Sequence, residues 1–183
     1  MCRQCETNPV YEFTNKRKLC KTCFVRYFER KVLYTIRRFG LIKQGEVIGY
    51  KKADDFKDVV LEKILNFFSE KSGVNIVKLP NKKAKKIAID SSLDSESERI
   101  MEILIKGNSN DLKKCLPIEK NFIKPLYLFL DEEILLYAKL KNLKFKKRNE
   151  KGNKFSKLLD ELEKKHPEVK RACVNSILEL YSN

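Results

Sequence analysis

The sequence has few proline, glycine and histidine residues and no long apolar run. Five prolines and six glycines among 183 residues, with 42% hydrophobic residues, are typical of a folded chain. No stretch approaches the roughly 18 apolar residues of a membrane span, and cysteines stand where a signal peptide has its apolar segment. The single histidine, His166, precedes Pro167, which argues against triad chemistry. We therefore expect a folded, cytoplasmic protein with no membrane partner.

Acidic residues are also in deficit. The 25 Asp and Glu residues face 40 Lys and Arg residues, which gives a formal net charge of +15. Such a balance favours a polyanionic partner, although a Lys- and Glu-rich surface is also typical of thermophile proteins. The excess is concentrated, because residues 1–52 contain 13 basic and 4 acidic residues and residues 141–157 contain 8 and 1. We interpret this concentration as a sign of nucleic-acid binding.

Four of the six cysteines lie near the N-terminus with the spacing C-x2-C-x14-C-x2-C. This spacing is close to that of a zinc ribbon or knuckle, because each pair can place two sulfurs on one ion from a tight turn. Four cysteine ligands leave no open coordination position, so we expect structural zinc. A disulfide or redox pair and an iron–sulfur cluster are the alternatives. The predicted ligands are Cys2, Cys5, Cys20 and Cys23.

A basic amphipathic helix is predicted directly behind the cysteines, over residues 24–39. Its apolar residues recur with helical period and predict a buried face. Basic residues and tyrosines share the opposite face, which suits phosphate contacts and stacking on unpaired bases, whereas a plain solvated face is the alternative. The residues predicted to bind RNA, including three from the second basic segment, are Arg26, Tyr27, Arg30, Lys31, Tyr34, Arg37, Arg38, Lys146, Lys147 and Arg148.

Strands alternate with helices in the rest of the chain. Strands are predicted at "EVIGY", "VNIVKL" and "IAID", and helices at about residues 54–71, 94–106, 131–141 and 168–181, with a short helix at "FSKLLDELEKKH". This order predicts an α/β fold with a parallel sheet. Asp90, Ser91 and Ser92 follow a strand and open a helix, which makes them a candidate residual nucleotide or anion site.

Several stretches occur together in the order found in a known family. They are the cysteine finger with "CFVRYFERKVLYTIRRFGLI", then "KKIAIDSSLDSESERIMEILIKGN", "IKPLYLFLDEEILLYAKLKNLKF" and "LLDELEKKHPEVKRACVNSIL". In this ordered set the chain resembles the TtuA-like cytosolic tRNA 2-thiouridine synthetases of the PP-loop ATPase superfamily. The resemblance implies a four-cysteine zinc finger and a Rossmann-like α/β domain. In the family that domain adenylates a tRNA uridine, and cysteines hold a catalytic iron–sulfur cluster or carry sulfur.

The chain departs from this family where the chemistry belongs. The family's S-G-G-K-D-S phosphate loop is replaced by "IGYKKADDF", and Gly49 alone cannot supply the two adjacent glycines that wrap a pyrophosphate. A second motif appears as "DSSLDSES", which keeps Asp94 and Glu96, and the catalytic cysteines have no counterpart. The resemblance therefore implies a degenerate or truncated member for which we do not expect ATP as a cofactor.

These observations lead to one functional hypothesis with two alternatives. The hypothesis is a non-catalytic tRNA-binding paralogue or accessory subunit of the tRNA 2-thiolation machinery. Its partners would be tRNA or another structured RNA and either an active PP-loop subunit or a second copy of the chain. The alternatives are an active ATP-dependent tRNA-thiolating enzyme with an altered phosphate loop, and a zinc-dependent DNA- or protein-binding module. The expected units are a finger (1–23), a basic linker helix (24–44), a reduced PP-loop-like domain (45–145) and a basic, helical C-terminal part (146–183).

Overall fold

The computed structural model describes residues 1–146 and 154–181. It consists of a small N-terminal hairpin and a five-stranded sheet surrounded by helices. The strands are β1 (Tyr11–Glu12), β2 (Lys18–Leu19), β3 (Val47–Tyr50), β4 (Asn75–Lys78), β5 (Lys86–Ala88), β6 (Ile118–Glu119) and β7 (Phe122–Ile123). The helices are α1 (Lys21–Arg38), α2 (Phe56–Ser72), α3 (Leu93–Ile105), α4 (Asp131–Leu140), α5 (Lys154–Lys165) and α6 (Val169–Leu180), with a 3₁₀ helix at Ser109–Cys115.

The large sheet is mostly parallel and has the strand order β4-β3-β5-β7-β6. β3 runs parallel to both β4 and β5, and β5 runs parallel to β7. Only β6, at the edge, is antiparallel to its neighbour. The predicted α/β class, with an N-terminal cysteine cluster and a mainly parallel sheet, is confirmed. The short β6–β7 pair was not predicted from the sequence.

The connection between β4 and β5 is a short loop that crosses β3 at Gly49. Leu79 donates its backbone N–H to the Tyr50 carbonyl, and Lys85 donates its own to the Val47 carbonyl. A Cβ placed on Gly49 would lie 2.7 Å from Leu79 Cδ2 and 2.9 Å from the Ala84 Cβ. Such distances are shorter than normal carbon contacts, so a larger residue at position 49 would force its neighbours to move. Gly49 therefore serves packing inside the sheet.

Helix α1 is packed into the body of the protein. Its Phe28 ring lies 4.2 Å from the Tyr137 ring of α4 in a stacked arrangement and 4.3 Å from the Phe129 ring. One hydrophobic cluster runs from the cysteines through α1 and α2 to β3, and a second joins α3, the 3₁₀ helix and α6. Among the described residues, no helix is long and apolar enough to cross a membrane.

Candidate metal centre and nucleic-acid interface

The four N-terminal cysteines meet at one point. Pairing of β1 with β2 returns the chain to its start, where Arg3 donates its backbone N–H to the Lys18 carbonyl. The first turn of α1 then adds the last cysteine. All four sulfurs lie within 4.8 Å of one another, with Cys5 Sγ 3.3 Å from Cys20 Sγ and 3.7 Å from Cys23 Sγ. The predicted ligands Cys2, Cys5, Cys20 and Cys23 are thus brought together in a site that can hold a metal ion.

The surroundings of these thiols differ from one another. Burial raises the pKa of Cys23 to about 12, whereas a hydrogen bond with the Thr7 hydroxyl lowers the pKa of Cys20 to about 6. A bound cation favours the thiolate form of all its cysteine ligands, so metal binding would release protons here. Around a single tetrahedral ion, four sulfurs would fill the coordination sphere and leave no position for substrate. The site is therefore suited to holding the hairpin against the start of α1.

The predicted RNA-binding residues of α1 fall into two groups. Five are exposed, while Tyr27 and Lys31 turn toward α4. Lys31 Nζ lies 3.0 Å from Glu133 Oε2, and the Tyr27 hydroxyl donates to Glu133 Oε1 at 3.3 Å. Burial lowers the pKa of Lys31 to about 8 although the Glu133 charge acts in the opposite direction. The five exposed residues are Arg26, Arg30, Tyr34, Arg37 and Arg38.

Three arginines of the exposed group carry uncompensated charge. Among residues 1–146 and 154–181, Arg26, Arg30 and Arg37 form no ion pair, whereas Lys31 and Glu29 of the same helix pair with residues of α4 and the turn after it. The Arg38 guanidinium instead lies 5.9 Å from the Tyr34 ring centroid. This face of α1 is therefore a row of free cations beside an aromatic ring, a combination typical of nucleic-acid surfaces.

The second basic segment is only partly described by the structure. Lys146 lies at its start, where its Nζ is 3.0 Å from Asp54 Oδ2 and its backbone N–H binds the Asp54 carbonyl. The Lys146 side chain is mostly exposed, so solvent screens this pair and its contribution to stability is small. Lys147 and Arg148, also predicted to bind RNA, lie outside the described residues.

Helices α2, α3 and α4 all begin at the carboxyl edge of the sheet, where nucleotides bind in many α/β proteins. At each helix start, side chains of the protein accept backbone N–H groups. Asp55 Oδ1 accepts the backbone N–H groups of Lys57 at 2.7 Å and Asp58 at 3.1 Å, Ser92 caps α3, and Glu133 accepts the N–H before α4. The Asp55 carboxylate thus occupies donors that a phosphate would otherwise use.

A buried lysine that the sequence did not single out links these helix starts. Lys57 Nζ lies 2.8 Å from Asp131 Oδ2, 3.1 Å from Ser95 Oγ and 3.3 Å from Ser92 Oγ. Burial raises the pKa of Asp131 although the Lys57 charge opposes this shift. No local pattern marks Lys57, because its partners come from other helices far along the chain.

The predicted anion-site residues are divided among different contacts. Ser92 caps α3 and contacts Lys57, and Ser91 donates to a Glu96 oxygen. The carboxylate of Asp90 instead lies within 4.8 Å of those of Asp55 and Asp58, a grouping that could hold a cation. Acidic oxygens of this kind repel an anion and attract a hard cation. The side chains of Asp90, Ser91 and Ser92 therefore have different partners.

The two carboxylates kept from the family motif are engaged in ion pairs. Asp94 Oδ1 lies 2.8 Å from Lys170 Nζ, and Glu96 Oε1 lies 2.8 Å from Lys124 Nζ in a fully buried pair. Lys170 also contacts Asp160 and Glu163, and these carboxylates raise its pKa above the usual value although burial lowers it. Both motif carboxylates therefore tie α3 to other elements.

The fold described here is similar to that of a solved tRNA thiolase. The solved structure described as the U34-tRNA thiolase NcsA from Methanococcus maripaludis with its [4Fe-4S] cluster matches 98% of this chain and 86% of that chain, with a TM-score of 0.78 and 21% sequence identity. No family model matches the chain, and no curated protein matches it. At this identity the likeness establishes the fold.

Proposed function

We propose that this protein binds tRNA within the tRNA 2-thiolation machinery, as a cytoplasmic accessory subunit that does not itself activate tRNA with ATP. The thiolase-like fold supports the connection with tRNA modification, because the matching structure is described as a U34-tRNA thiolase. The free arginines of α1 support the interaction with RNA. A second, catalytic PP-loop subunit would then supply the adenylation step.

The observation that carries this proposal is the capping of α2 by Asp55. A phosphate loop needs free backbone N–H groups at the first helix start, and here two of them donate to a carboxylate of the chain. The negative charge of Asp55 would also repel an incoming phosphate. Lys57, in the first turn of α2, is already paired with Asp131. These contacts favour a binding role over ATP chemistry.

We propose zinc as the occupant of the cysteine site. Tetrahedral zinc with Zn–S bonds of about 2.3 Å requires sulfurs about 3.8 Å apart. In a [4Fe-4S] cluster each thiolate binds a different iron atom, which separates the sulfurs to roughly 6 Å. The observed separations of 3.3 Å and 3.7 Å, with all four sulfurs within 4.8 Å, agree with one ion. Zinc would fix the hairpin and supply no reaction chemistry.

Calorimetry with Mg-ATP tests the proposed lack of nucleotide chemistry. We expect no binding tighter than about millimolar, an affinity equivalent to roughly −4 kcal/mol. Equilibrium binding to unmodified tRNA should be measurable in the same buffer without ATP. Micromolar ATP binding that disappears in an Asp90→Ala or Ser92→Ala variant would contradict the proposal.

An active ATP-dependent tRNA-thiolating enzyme is the second candidate function. The observation that favours it is the meeting of Asp55, Asp58 and Asp90, whose carboxylates could hold the magnesium of a nucleotide. Turnover of unmodified tRNA to 2-thiolated product with ATP and a sulfur donor, detected by mass spectrometry, would establish this candidate. Metal-dependent binding of a protein or of duplex DNA, without affinity for tRNA, would instead favour a zinc-dependent binding module.

A further inference from the structure

A shallow pocket of about 380 Å³ lies between the cysteine hairpin and the outer face of α1. Gln4 lines it from the hairpin side, in the turn between the first two cysteines. The pocket therefore joins the metal site to the basic face of α1. Its α1 lining consists of Arg26, Tyr27, Arg30, Lys31 and Tyr34.

One wall of this pocket offers an open aromatic ring. Tyr34 is 54% exposed, and within the described part of the chain it makes no hydrogen bond. The Arg38 guanidinium lies near its ring, whereas Tyr27, the other aromatic residue of the pocket, is held by Glu133. An exposed ring flanked by arginines provides a surface on which a nucleobase can stack.

The other walls offer charge and hydrogen-bonding groups. Arg26 and Arg30 are exposed, lie one helical turn apart and form no ion pair with any described residue. Two adjacent guanidinium groups suit the oxygens of a phosphate, because each can donate in a bidentate manner. The exposed Gln4 amide can both donate and accept, as the edge of a nucleobase requires. Lys31 adds little free charge, since Glu133 neutralises it.

We infer that this pocket binds one unpaired nucleotide of an RNA, with the base on Tyr34, the base edge on Gln4 and the phosphate on Arg26 and Arg30. The inference rests on the proposed RNA-binding function and extends it by placing a residue of the metal hairpin in the RNA site. A paired base has no free face or Watson–Crick edge, so the pocket selects loops or single-stranded ends. Because Gln4 lies between Cys2 and Cys5, metal binding also positions the group that contacts the base.

Fluorescence anisotropy with the full chain tests this pocket. The probes are a hairpin RNA with a loop of about seven uridines and a blunt RNA duplex with the same number of phosphates. Tyr34→Ala should weaken hairpin binding at least about tenfold and leave duplex binding unchanged, because stacking needs an unpaired base. Tyr34→Phe should retain binding of both probes. Gln4→Ala should weaken binding of the hairpin RNA and leave duplex binding unchanged. Phe122→Ala, which removes an exposed ring of β7, is the matched control and should bind like the parent.

Photocrosslinking provides a second readout that does not depend on affinity. A hairpin carrying one 4-thiouridine in its loop should crosslink to the peptide that contains Tyr34. Two outcomes would contradict the assignment of a nucleotide site to this pocket without contradicting RNA binding itself. They are crosslinks confined to other segments, and a Tyr34→Ala variant that binds both probes equally more weakly. Failure of the parent protein to bind either RNA at low salt would overturn the proposed function as well. Tyr34 and Gln4 are exposed, so both variants should keep the parent's thermal unfolding temperature.

Discussion

Gly49 is a residue whose identity depends on close packing between a strand and the loop that crosses it. We predict that Gly49→Ala destabilises the protein by about 1–3 kcal/mol, a typical effect of overpacking. The Leu79 side chain can move away from the new methyl group, but the Ala84 Cβ is fixed to its backbone. Urea unfolding should show a lower midpoint, and adding Ala84→Gly should restore part of the stability. Two effects that simply add would contradict a direct clash between positions 49 and 84.

Adjacent cations on α1 have opposite surroundings. Arg30 is exposed without an ion pair among the described residues, whereas Lys31 lies against Glu133 with its side chain 14% exposed. The helical pattern of the sequence predicts Arg30 and Lys31 near the same basic face. Their exposure differs because α4 packs against Lys31. The same limit applies to Lys57, whose partner Asp131 comes from another helix. Local periodicity can identify a polar face, but it cannot show which cation a distant carboxylate will neutralise.

The helices were largely predictable because their signals are local. Helix α2 was expected over about 54–71 from its apolar period and the glycine that follows it. It spans Phe56–Ser72, and Gly73, with φ of 68°, ends it. Strands β6 and β7 were not predicted because each has two residues, which is too few to show the alternation of polar and apolar residues that is typical of a strand. The capping of α2 by Asp55 was also missed, although an Asp directly before an apolar helix was a signal for it. Short strands and crossovers depend on tertiary neighbours that the sequence pattern does not reveal.

The stability of the N-terminal hairpin, which carries the four clustered cysteines, should depend on one metal ion. We predict that Cys20→Ala reduces bound zinc from about one per chain to nearly none, because three thiolates hold zinc far less tightly than four. Hydrogen exchange should then increase in residues 1–23 while the strands of the large sheet stay protected. Elemental analysis and exchange mass spectrometry measure both effects.

Cys173→Ala is the control for the metal prediction. Cys173 is a half-buried cysteine of α6 outside the quartet, so this variant should keep its zinc. Retention of metal by Cys20→Ala would contradict the prediction, as would a purified parent protein in which the quartet is paired as disulfides.

At the scale of the whole molecule, ion pairs are distributed unevenly over the described residues. The carboxyl edge of the sheet and the packing of α3 use pairs such as Lys57–Asp131, Lys124–Glu96 and Lys170–Asp94. On α1, by contrast, the row formed by Arg26, Arg30 and Arg37 is unpaired within the described ranges. Paired lysines contribute little external potential, so the net charge of +15 acts mainly through unpaired groups. Polyanion binding should therefore depend on where a charge is removed.

This dependence leads to a prediction about salt. Phosphate contacts release counterions, so tRNA affinity should fall steeply between about 50 and 200 mM salt. Changing Arg26, Arg30 and Arg37 together to Gln should weaken binding and reduce the slope of log K against log salt by roughly one unit for each phosphate that is no longer neutralised.

The control changes Lys63, Lys82 and Lys83, three exposed lysines on α2 and the β4–β5 loop, to Gln and so removes the same net charge. Filter binding at several salt concentrations should separate the two variants, with the control close to the parent. Equal slopes for both triple variants would mean that tRNA responds to total charge and that α1 has no special role.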